Sequence, residues 1–214
     1  MAERSALSDA QWDALLSLLE EGRERGLVGP GALAPHLRHA LAFSSVAGRP
    51  LPRPALDLGS GAGLPGLVLA LADPDSRWVL LDGRARSAEF LGEAVDRLGL
   101  EGRVRVVGER AEVAARSELR GTMALVVARS VGPPAVTAEC AAGFLRPGGV
   151  LVVSEPPADE QSRWPPKGLG QLGMAPAEIL EAGGGFHFAR ILQRHRAPDR
   201  VPRRTGKPSK RPLF

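Results

Sequence analysis

Residues 56–66 read LDLGSGAGLPG, a short apolar run followed by four glycines, Gly59, Gly61, Gly63 and Gly66. Glycines at this density let the backbone turn sharply or pass close to a ligand. The G-x-G-x-x-G spacing of the last three is the fingerprint of dinucleotide-binding loops, so NAD is one candidate. No G-K-[ST] follows, which excludes the triphosphate loop. The remaining alternatives are a ligand without phosphate and a purely structural turn between strand and helix.

Two acids and a turn favour a ligand other than NAD. Asp57 precedes the glycines in the pattern D-x-G-x-G-x-G, and a carboxylate at the mouth of the loop would repel a pyrophosphate but suit an amino group. Asp82 ends the next apolar run, where an acid can bind both ribose hydroxyls of any adenosine ligand. LRPGGVLVV, residues 145–153, closes a helix with a tight turn and enters an apolar strand. This combination resembles the class I S-adenosylmethionine-dependent methyltransferases, and we favour a methyl donor over NAD.

The order of elements predicts an α/β protein. Residues 8–25 have a capping box and helical apolar spacing, and from residue 55 short apolar strands alternate with helices, which is typical of a mostly parallel sheet covered on both faces. The methyltransferase class implies a Rossmann-like fold with seven twisted strands. We divide the chain into a short helical extension (1–50), a donor-binding domain (51–196) and a basic tail expected to be irregular (197–214). Further helices are predicted at 33–46, 65–72, 86–99 and 133–145, and strands at 54–59, 77–82, 103–109, 123–129, 149–155 and 185–195.

Composition limits the class of protein. The chain has 214 residues and one cysteine, Cys140, which excludes an internal disulfide and fits a reducing compartment. No apolar run is long enough to span a membrane, no signal peptide is evident, and no metal-binding spacing occurs, so we expect a cytoplasmic protein without a metal. The net charge is +4, but residues 190–214 hold nine Lys or Arg and one acid. This asymmetry predicts either a nucleic-acid contact or simply a solvated basic end.

A closer resemblance is to the bacterial small-subunit ribosomal RNA guanine-N7 methyltransferases, also called the glucose-inhibited division protein B family. The extended loop GSGAGLPG carries it most specifically, and the ending PRRTGKPSKRPL matches the basic end of the family. PHLRHALAF is a weaker match, with His36 in the place of a family histidine. The resemblance covers roughly residues 35–155 and 190–213. Supporting pieces are GRARSAEFLGEAVDRLGL, ERAE, VVARSV and LRPGG.

The resemblance implies roles for individual positions. The glycines pass beside the methionine part of S-adenosylmethionine, Asp57 supports its amino end, and Asp82 holds the ribose. Ala111 and Glu112 border the adenine, and Arg129 lines the methyl-transfer pocket as the candidate catalytic residue. The full set of candidate donor-binding residues is Asp57, Gly59, Ser60, Gly61, Gly63, Leu64, Asp82, Gly83, Ala111, Glu112 and Arg129.

The departures from the family pattern all fall on the acceptor side. Ser154 and Glu155 stand where the family has a lysine, and His39-Ala40 replaces an Asp-Ser pair. LVGPGALA, residues 27–34, occupies the region of an Asn-Leu-Thr segment. A divergent paralogue with a changed acceptor would show this pattern.

Three functions fit these residues. The first is methylation of guanine N7 in ribosomal RNA or the small ribosomal subunit, which needs orientation for in-line transfer but no general base. In that case the basic tail, Arg84, Arg86 and Arg129 would contact phosphates, and an exposed Glu155 would oppose RNA binding. The second is methylation of a small molecule or protein in a closed apolar pocket, with Trp164 as a lid. The third is a donor-binding protein without turnover.

Overall fold

The computed structural model describes residues 6–157 and 163–214, which form eight helices and seven strands. The helices are α1 (Asp9–Glu24), α2 (Ala34–Ala47), α3 (Gly66–Ala72), α4 (Ala85–Arg97), α5 (Ala111–Ala114), α6 (Pro134–Phe144), α7 (Pro166–Gly170) and α8 (Lys207–Lys210). The strands are β1 (Ala55–Leu58), β2 (Trp78–Leu81), β3 (Val104–Val107), β4 (Met123–Ala128), β5 (Leu145–Glu155), β6 (Glu178–Ala182) and β7 (Phe186–Leu192).

All seven strands lie in one sheet with the order β3-β2-β1-β4-β5-β7-β6. The strands β1 to β5 pair in parallel, and β7 is inserted antiparallel between β5 and the edge strand β6. The order reverses at β1, so the loops after β1 and β4 separate at the carboxyl ends of these strands. In open α/β sheets that crevice is where ligands bind.

Each face of the sheet has its own apolar core. Helices α1 to α4 cover one face, and the core there includes Trp12, Phe43, Phe90 and Leu80. The opposite face is covered by α5 to α7 and by part of the C-terminal segment. The strands β1, β2 and β4 are buried along their whole length, as expected for parallel strands covered on both sides.

The predicted fold class is confirmed, as are the predicted helices and six of the strands. The sequence patterns missed the short helices α5, α7 and α8, which have at most five residues each and so carry little helical periodicity. They also missed β6, because this edge strand alternates weakly and four of its five residues are at least partly exposed. The helix α1 begins at the predicted cap, where Ser8 and Gln11 form a capping box. None of the helices in the described residues is long and apolar enough to cross a membrane.

The C-terminal tail is irregular over most of its length, but it is packed against the body. It contains α8, and Val201, Pro202 and Pro208 are buried against the body. Arg203 donates to the fully buried carboxylate of Glu139 on α6, with Nη2–Oε2 at 2.6 Å. Arg120 donates to the carbonyl of Val201 at 2.7 Å. Local composition indicates disorder here, whereas tertiary ion pairs and buried prolines hold the segment in place.

Candidate active site

The loop after β1 requires glycine for its conformation. Gly59, Gly61 and Gly63 have φ values of 69°, 58° and 87°, in the left-handed region that other residues rarely adopt. A side chain at Gly59 would also come within 3.0 Å of Val131, which follows β4. The loop therefore packs closely against the next loop of the crevice.

Most amide groups of this loop are used within the protein. The amides of Gly59 and Ser60 donate to the carbonyl of Leu81 at 2.8 and 3.0 Å, and the Gly61 amide donates to Asp82 Oδ2 at 2.9 Å. The amides of Gly63 and Leu64 donate to the carbonyl of Ser60 at 2.8 and 3.2 Å. Phosphate-binding loops instead point free amides at the anion. This geometry argues against a pyrophosphate ligand and fits a ligand without phosphate.

Asp57 lies beneath the loop and not at its mouth, which corrects the expected placement. Its side chain is fully buried, and Oδ2 accepts a hydrogen bond from the Gly66 amide at 2.9 Å. Burial raises the pKa of the carboxyl to about 7, against the opposing effect of this hydrogen bond. The other oxygen, Oδ1, has no hydrogen-bond partner among the described residues. Because the side chain is fully buried and lines none of the three cavities described below, it supports the loop from beneath.

Asp82 ends β2 and is tightly held. Its carboxylate accepts from the Gly61 amide and from the Arg84 amide, both at 2.9 Å. The half-exposed Arg84 guanidinium also contacts both oxygens, at 3.2 and 3.3 Å. Burial alone would raise the pKa of Asp82, but the hydrogen bonds from Arg84 and Gly61 lower it below the ordinary value. The carboxylate therefore stays ionised, as an acceptor for ribose hydroxyls must be.

Arg84 is a feature that the sequence did not predict. It was expected among the RNA contacts, yet its guanidinium lies on the carboxylate proposed to bind ribose. A ligand that uses Asp82 must share the carboxylate with Arg84 or move the arginine aside. Nothing in the linear pattern DGRAR distinguishes an outward arginine from one that folds back.

Two cavities flank the glycine loop. One, of about 300 Å³, includes Asp82, Gly83, Ala111, Glu112 and Cys140 in its lining. The other, of about 260 Å³, includes Gly59, Ser60, Gly61, Leu64 and Arg129. Gly59, Arg84 and Ser130 line both cavities. An elongated ligand can therefore extend across Gly59, with a planar base in the first cavity and an amino acid chain in the second.

The first cavity is closed in part by the tail. Ser209 of α8 lines it, and the Gly206 amide donates to Glu112 Oε1 at 2.9 Å. Glu112 is buried, so its carboxylate anchors the tail at the same place where it borders the cavity. This link between the tail and the cavity has no signal in the sequence.

Arg129, at the end of β4, connects the second cavity to a third one. Its Nη2 lies 2.6 Å from His36 Nδ1, and both residues line both cavities. Since a guanidinium can only donate, the imidazole accepts at Nδ1 and is neutral. Burial and then the charge of Arg129 lower the pKa of His36, which favours that form. Arg129 Nη1 is buried without a hydrogen-bond partner among the described residues, so it remains available as a donor.

The third cavity, of about 420 Å³, lies at the carboxyl ends of β4 and β5. Glu155 lines it but is nearly buried, with a side chain 7% exposed, and it accepts from Arg163 Nη1 at 3.0 Å. Glu155 is therefore not the exposed acid that would oppose RNA binding. Trp164 is 1% exposed and belongs to the apolar core on the face of the sheet covered by α5 to α7, so it is not a lid. The loop 156–168 reads as polar and proline-rich, but its residues 158–162 lie outside the described part of the chain.

Comparison with known proteins identifies the family. The sequence model of the family described as "rRNA small subunit methyltransferase G" matches residues 15–162. A relative of that name from Frankia casuarinae is 35% identical over 86% of this chain and 71% of its own length. Another, from Syntrophomonas wolfei, is 31% identical over 92% of this chain and 95% of its own.

This chain belongs to that family. It is an S-adenosylmethionine-dependent methyltransferase, and S-adenosylmethionine is its methyl donor. The NAD alternative is excluded by this finding together with the occupied loop amides. Among residues 6–157 and 163–214, no group of three or more His, Cys, Asp or Glu side chains could hold a metal ion.

Solved structures support the same fold. A cofactor-bound protein from MTB aligns with a TM-score of 0.58 at 20% identity, over 86% of this chain and 90% of that one. An O-methyltransferase from Bacillus cereus in complex with SAH aligns with a TM-score of 0.59 at 16% identity, over 85% and 91% of the two chains. At these identities the likeness shows the fold and not the acceptor.

Proposed function

We propose that this protein transfers a methyl group to N7 of a guanine in small-subunit ribosomal RNA, in the cytoplasm. The observation that carries the proposal is the arrangement of the three cavities. The two that flank the glycine loop suit the donor, and the third adjoins them at His36, Arg129 and Ser130. The relatives of this chain are named for methylation of small-subunit ribosomal RNA.

Most of the residues proposed for the donor line the first two cavities, and Asp57 and Gly63 instead shape the loop between them. Asp82 would bind the ribose hydroxyls, Ala111 and Glu112 would border the adenine, and Gly59 and Gly61 would pass beside the methionine part. Asp57 would act from below, because its hydrogen bond to Gly66 holds the end of the loop. The remaining members of the proposed set are Ser60, Gly63, Leu64, Gly83 and Arg129.

The chemistry of guanine N7 matches what the site contains. S-adenosylmethionine supplies a methyl group on a positively charged sulfur. The N7 lone pair forms the new bond to carbon as the carbon–sulfur bond breaks, its electrons remain on sulfur, and the purine gains one positive charge. No proton is removed, so no general base is required, and His36 already has its Nδ1 lone pair bound to Arg129. Arg129 would orient the base, largely a matter of proximity and alignment.

The tail supplies a surface for RNA phosphates. Seven of the nine basic residues in 190–214 are exposed, and Arg203 and Gly206 fix this segment to the body. These residues are Arg194, Arg196, Arg200, Arg204, Lys207, Lys210 and Arg211. Exposed cations on a segment that reaches the donor cavity at Ser209 would bind the RNA backbone without reading sequence.

A small-molecule or protein acceptor has less support. The third cavity is lined by His36, Arg129, Glu155 and Arg163, and it is not the closed apolar pocket that such an acceptor would favour. A direct test is transfer of labelled methyl to small ribosomal subunits from a strain that lacks the gene, to naked RNA from those subunits, and to their free proteins. Label in the RNA supports the proposal. Label only in protein, or none despite measurable donor binding, would refute it.

A further inference from the structure

Glu155 is a buried acid that the donor site does not use. It ends β5 and lines the third cavity together with Ser154 and Arg129. Arg163 Nη1 donates to its Oε2 at 3.0 Å, and the Trp164 indole also hydrogen-bonds to the carboxyl group. A carboxylate has about four acceptor positions, so two contacts leave it able to accept more. The acid is thus fixed in place and still has acceptor capacity toward the cavity.

The edges of guanine differ in the same way as Arg129 and Glu155, which lie at the ends of the adjacent strands β4 and β5 and line the same cavity. N7 and O6 are acceptors on one edge, whereas N1–H and the 2-amino group are adjacent donors on the opposite edge. The side of the cavity nearest the donor carries Arg129, which can only donate, and Glu155, in the same lining, can only accept when ionised. A guanine that directs N7 toward the donor therefore turns its two N–H groups away from Arg129.

We propose that Glu155 reads this edge, by accepting hydrogen bonds from N1–H and the 2-amino group of the target guanine. The inference rests on the proposed function and adds the residue that selects the base. Adenine has an acceptor at N1 and no 2-amino group, so it would donate no hydrogen bond to the carboxylate and would place its own N1 acceptor against it. Unpaired buried groups are the strongest basis for rejecting an analogue.

The same contact assists the reaction. Methylation at N7 leaves a positive charge on the purine, and that charge makes N1–H and the 2-amino group stronger hydrogen-bond donors. A fixed carboxylate at those atoms binds the transition state more strongly than the neutral base, which is the condition for rate enhancement. Burial raises the pKa of the Glu155 carboxyl, and the ion pair with Arg163 opposes this rise and orients the carboxylate. Arg163 does not itself reach the base in this scheme.

The test uses small subunits reconstituted with RNA that carries either guanosine or inosine at the methylated position. Inosine keeps N7, O6 and N1–H and lacks only the 2-amino group. For the wild-type protein we expect kcat/KM to be at least about tenfold higher on guanosine, within the range for one hydrogen bond to a charged group. Glu155→Gln should lower the rate on guanosine by at least about tenfold and bring the guanosine-to-inosine ratio close to one.

Two further variants separate base reading from a structural role. Glu155→Asp keeps the negative charge but moves it away from the base by one methylene. This variant should lower the rate on guanosine and reduce the guanosine-to-inosine ratio. Arg163→Gln removes the ion pair but leaves the carboxylate, and should lower the rate while keeping the ratio. Donor affinity, measured by calorimetry, should be the same in all three. A wild-type protein that treats both bases alike, or a Glu155→Gln variant with an unchanged ratio, overturns the inference alone. No transfer by the wild-type protein to either RNA overturns the proposed function as well.

Discussion

Asp82 has a double role at the scale of single residues. Its carboxylate fixes the Gly61 amide of the loop, and it faces the cavity proposed for the adenosine part of the donor. Arg84 contacts both of its oxygens. The carboxylate is therefore preorganised and ionised before a ligand arrives, at the cost of competition with Arg84.

Replacing Asp82 tests the proposed ribose contact. We expect Asp82→Ala to weaken donor binding by about 1–3 kcal/mol, the scale of lost hydrogen bonds to a charged group. Titration calorimetry with S-adenosylmethionine measures this change. Asp96→Ala is the matched control, because Asp96 is an exposed acid on α4, and it should bind the donor normally. Equal affinity of the two variants would mean that the ribose is held elsewhere.

His39 provides a pH-dependent contribution to stability. Its ring contacts Phe43, Phe186 and Phe188, and burial, followed by the charges of Arg129 and His36, lowers its pKa to about 4. Between pH 6.5 and 4 the unfolded chain therefore binds a proton that the folded protein does not. The free energy of unfolding must fall as the pH falls through this window, since the proton favours the unfolded state.

We expect this residue to remove about 2–3 kcal/mol of stability between pH 7 and pH 4, at about 1.4 kcal/mol per pKa unit. His39→Phe, which matches its aromatic neighbours, should flatten the slope of unfolding free energy against pH. Urea denaturation at several pH values measures the unfolding free energy and therefore this slope. The contribution of Asp57 to this pH dependence has the opposite sign, because its raised pKa makes stability fall as the pH rises from about 4 to 7. A slope unchanged in His39→Phe would contradict this assignment.

At the scale of elements, the junction between the loop and α3 depends on close packing. Gly66 begins α3 directly above Asp57, and a Cβ there would come within 2.7 Å of Asp57 Oδ2 and 2.8 Å of its Cβ. The Leu80 side chain is also in the way. Neither neighbour can retreat easily, because both are fully buried.

Gly66→Ala should therefore destabilise the protein by about 1–3 kcal/mol, the usual cost of overpacking, and should lower donor affinity by displacing the loop. Gly92→Ala is the control within another helix, α4. A Cβ at Gly92 meets nothing within 4 Å, so this change should be neutral or should stabilise by up to about 1 kcal/mol. Thermal unfolding measures both variants. Equal melting temperatures would show that the junction tolerates a side chain.

The sequence predicts the elements better than the contacts between them. The five predicted helices and six strands follow from apolar periodicity and from the cap at Ser8, because these signals are local. Arg84 on Asp82, and His36 on Arg129, depend on the direction of side chains from segments 2 and 93 residues apart. The edge strand β6 and the folded tail depend on tertiary partners that no local pattern contains.

At the scale of the whole molecule, the tail ties the second face of the sheet to the donor cavity. Arg203 donates to Glu139 through Nε and Nη2, at 2.8 and 2.6 Å, and Glu139 is fully buried. Three residues further on, the Gly206 amide binds Glu112 at the cavity. The hydrogen bonds to Glu139 raise the pKa of Arg203, so its guanidinium stays charged.

Arg203→Ala should cost about 3–5 kcal/mol, because it leaves the Glu139 carboxylate buried without its charged partner. Its exposed neighbour is the control, and Arg204→Ala should change stability by less than about 0.5 kcal/mol. Chemical denaturation measures the two, and limited proteolysis shows whether the tail is released. A stable Arg203→Ala variant with a protected tail would mean that other contacts hold the segment.

The central claim is that the methyl group goes to N7 of a guanine in small-subunit RNA. The most direct measurement treats subunits from a strain lacking the gene with protein and donor, and then maps the RNA by borohydride reduction and aniline cleavage, which breaks the chain at N7-methylguanine. We expect protein-dependent cleavage at a single guanine, reduced in Asp82→Ala. Methylated RNA that resists cleavage, or RNA that gains no methyl group, would contradict it.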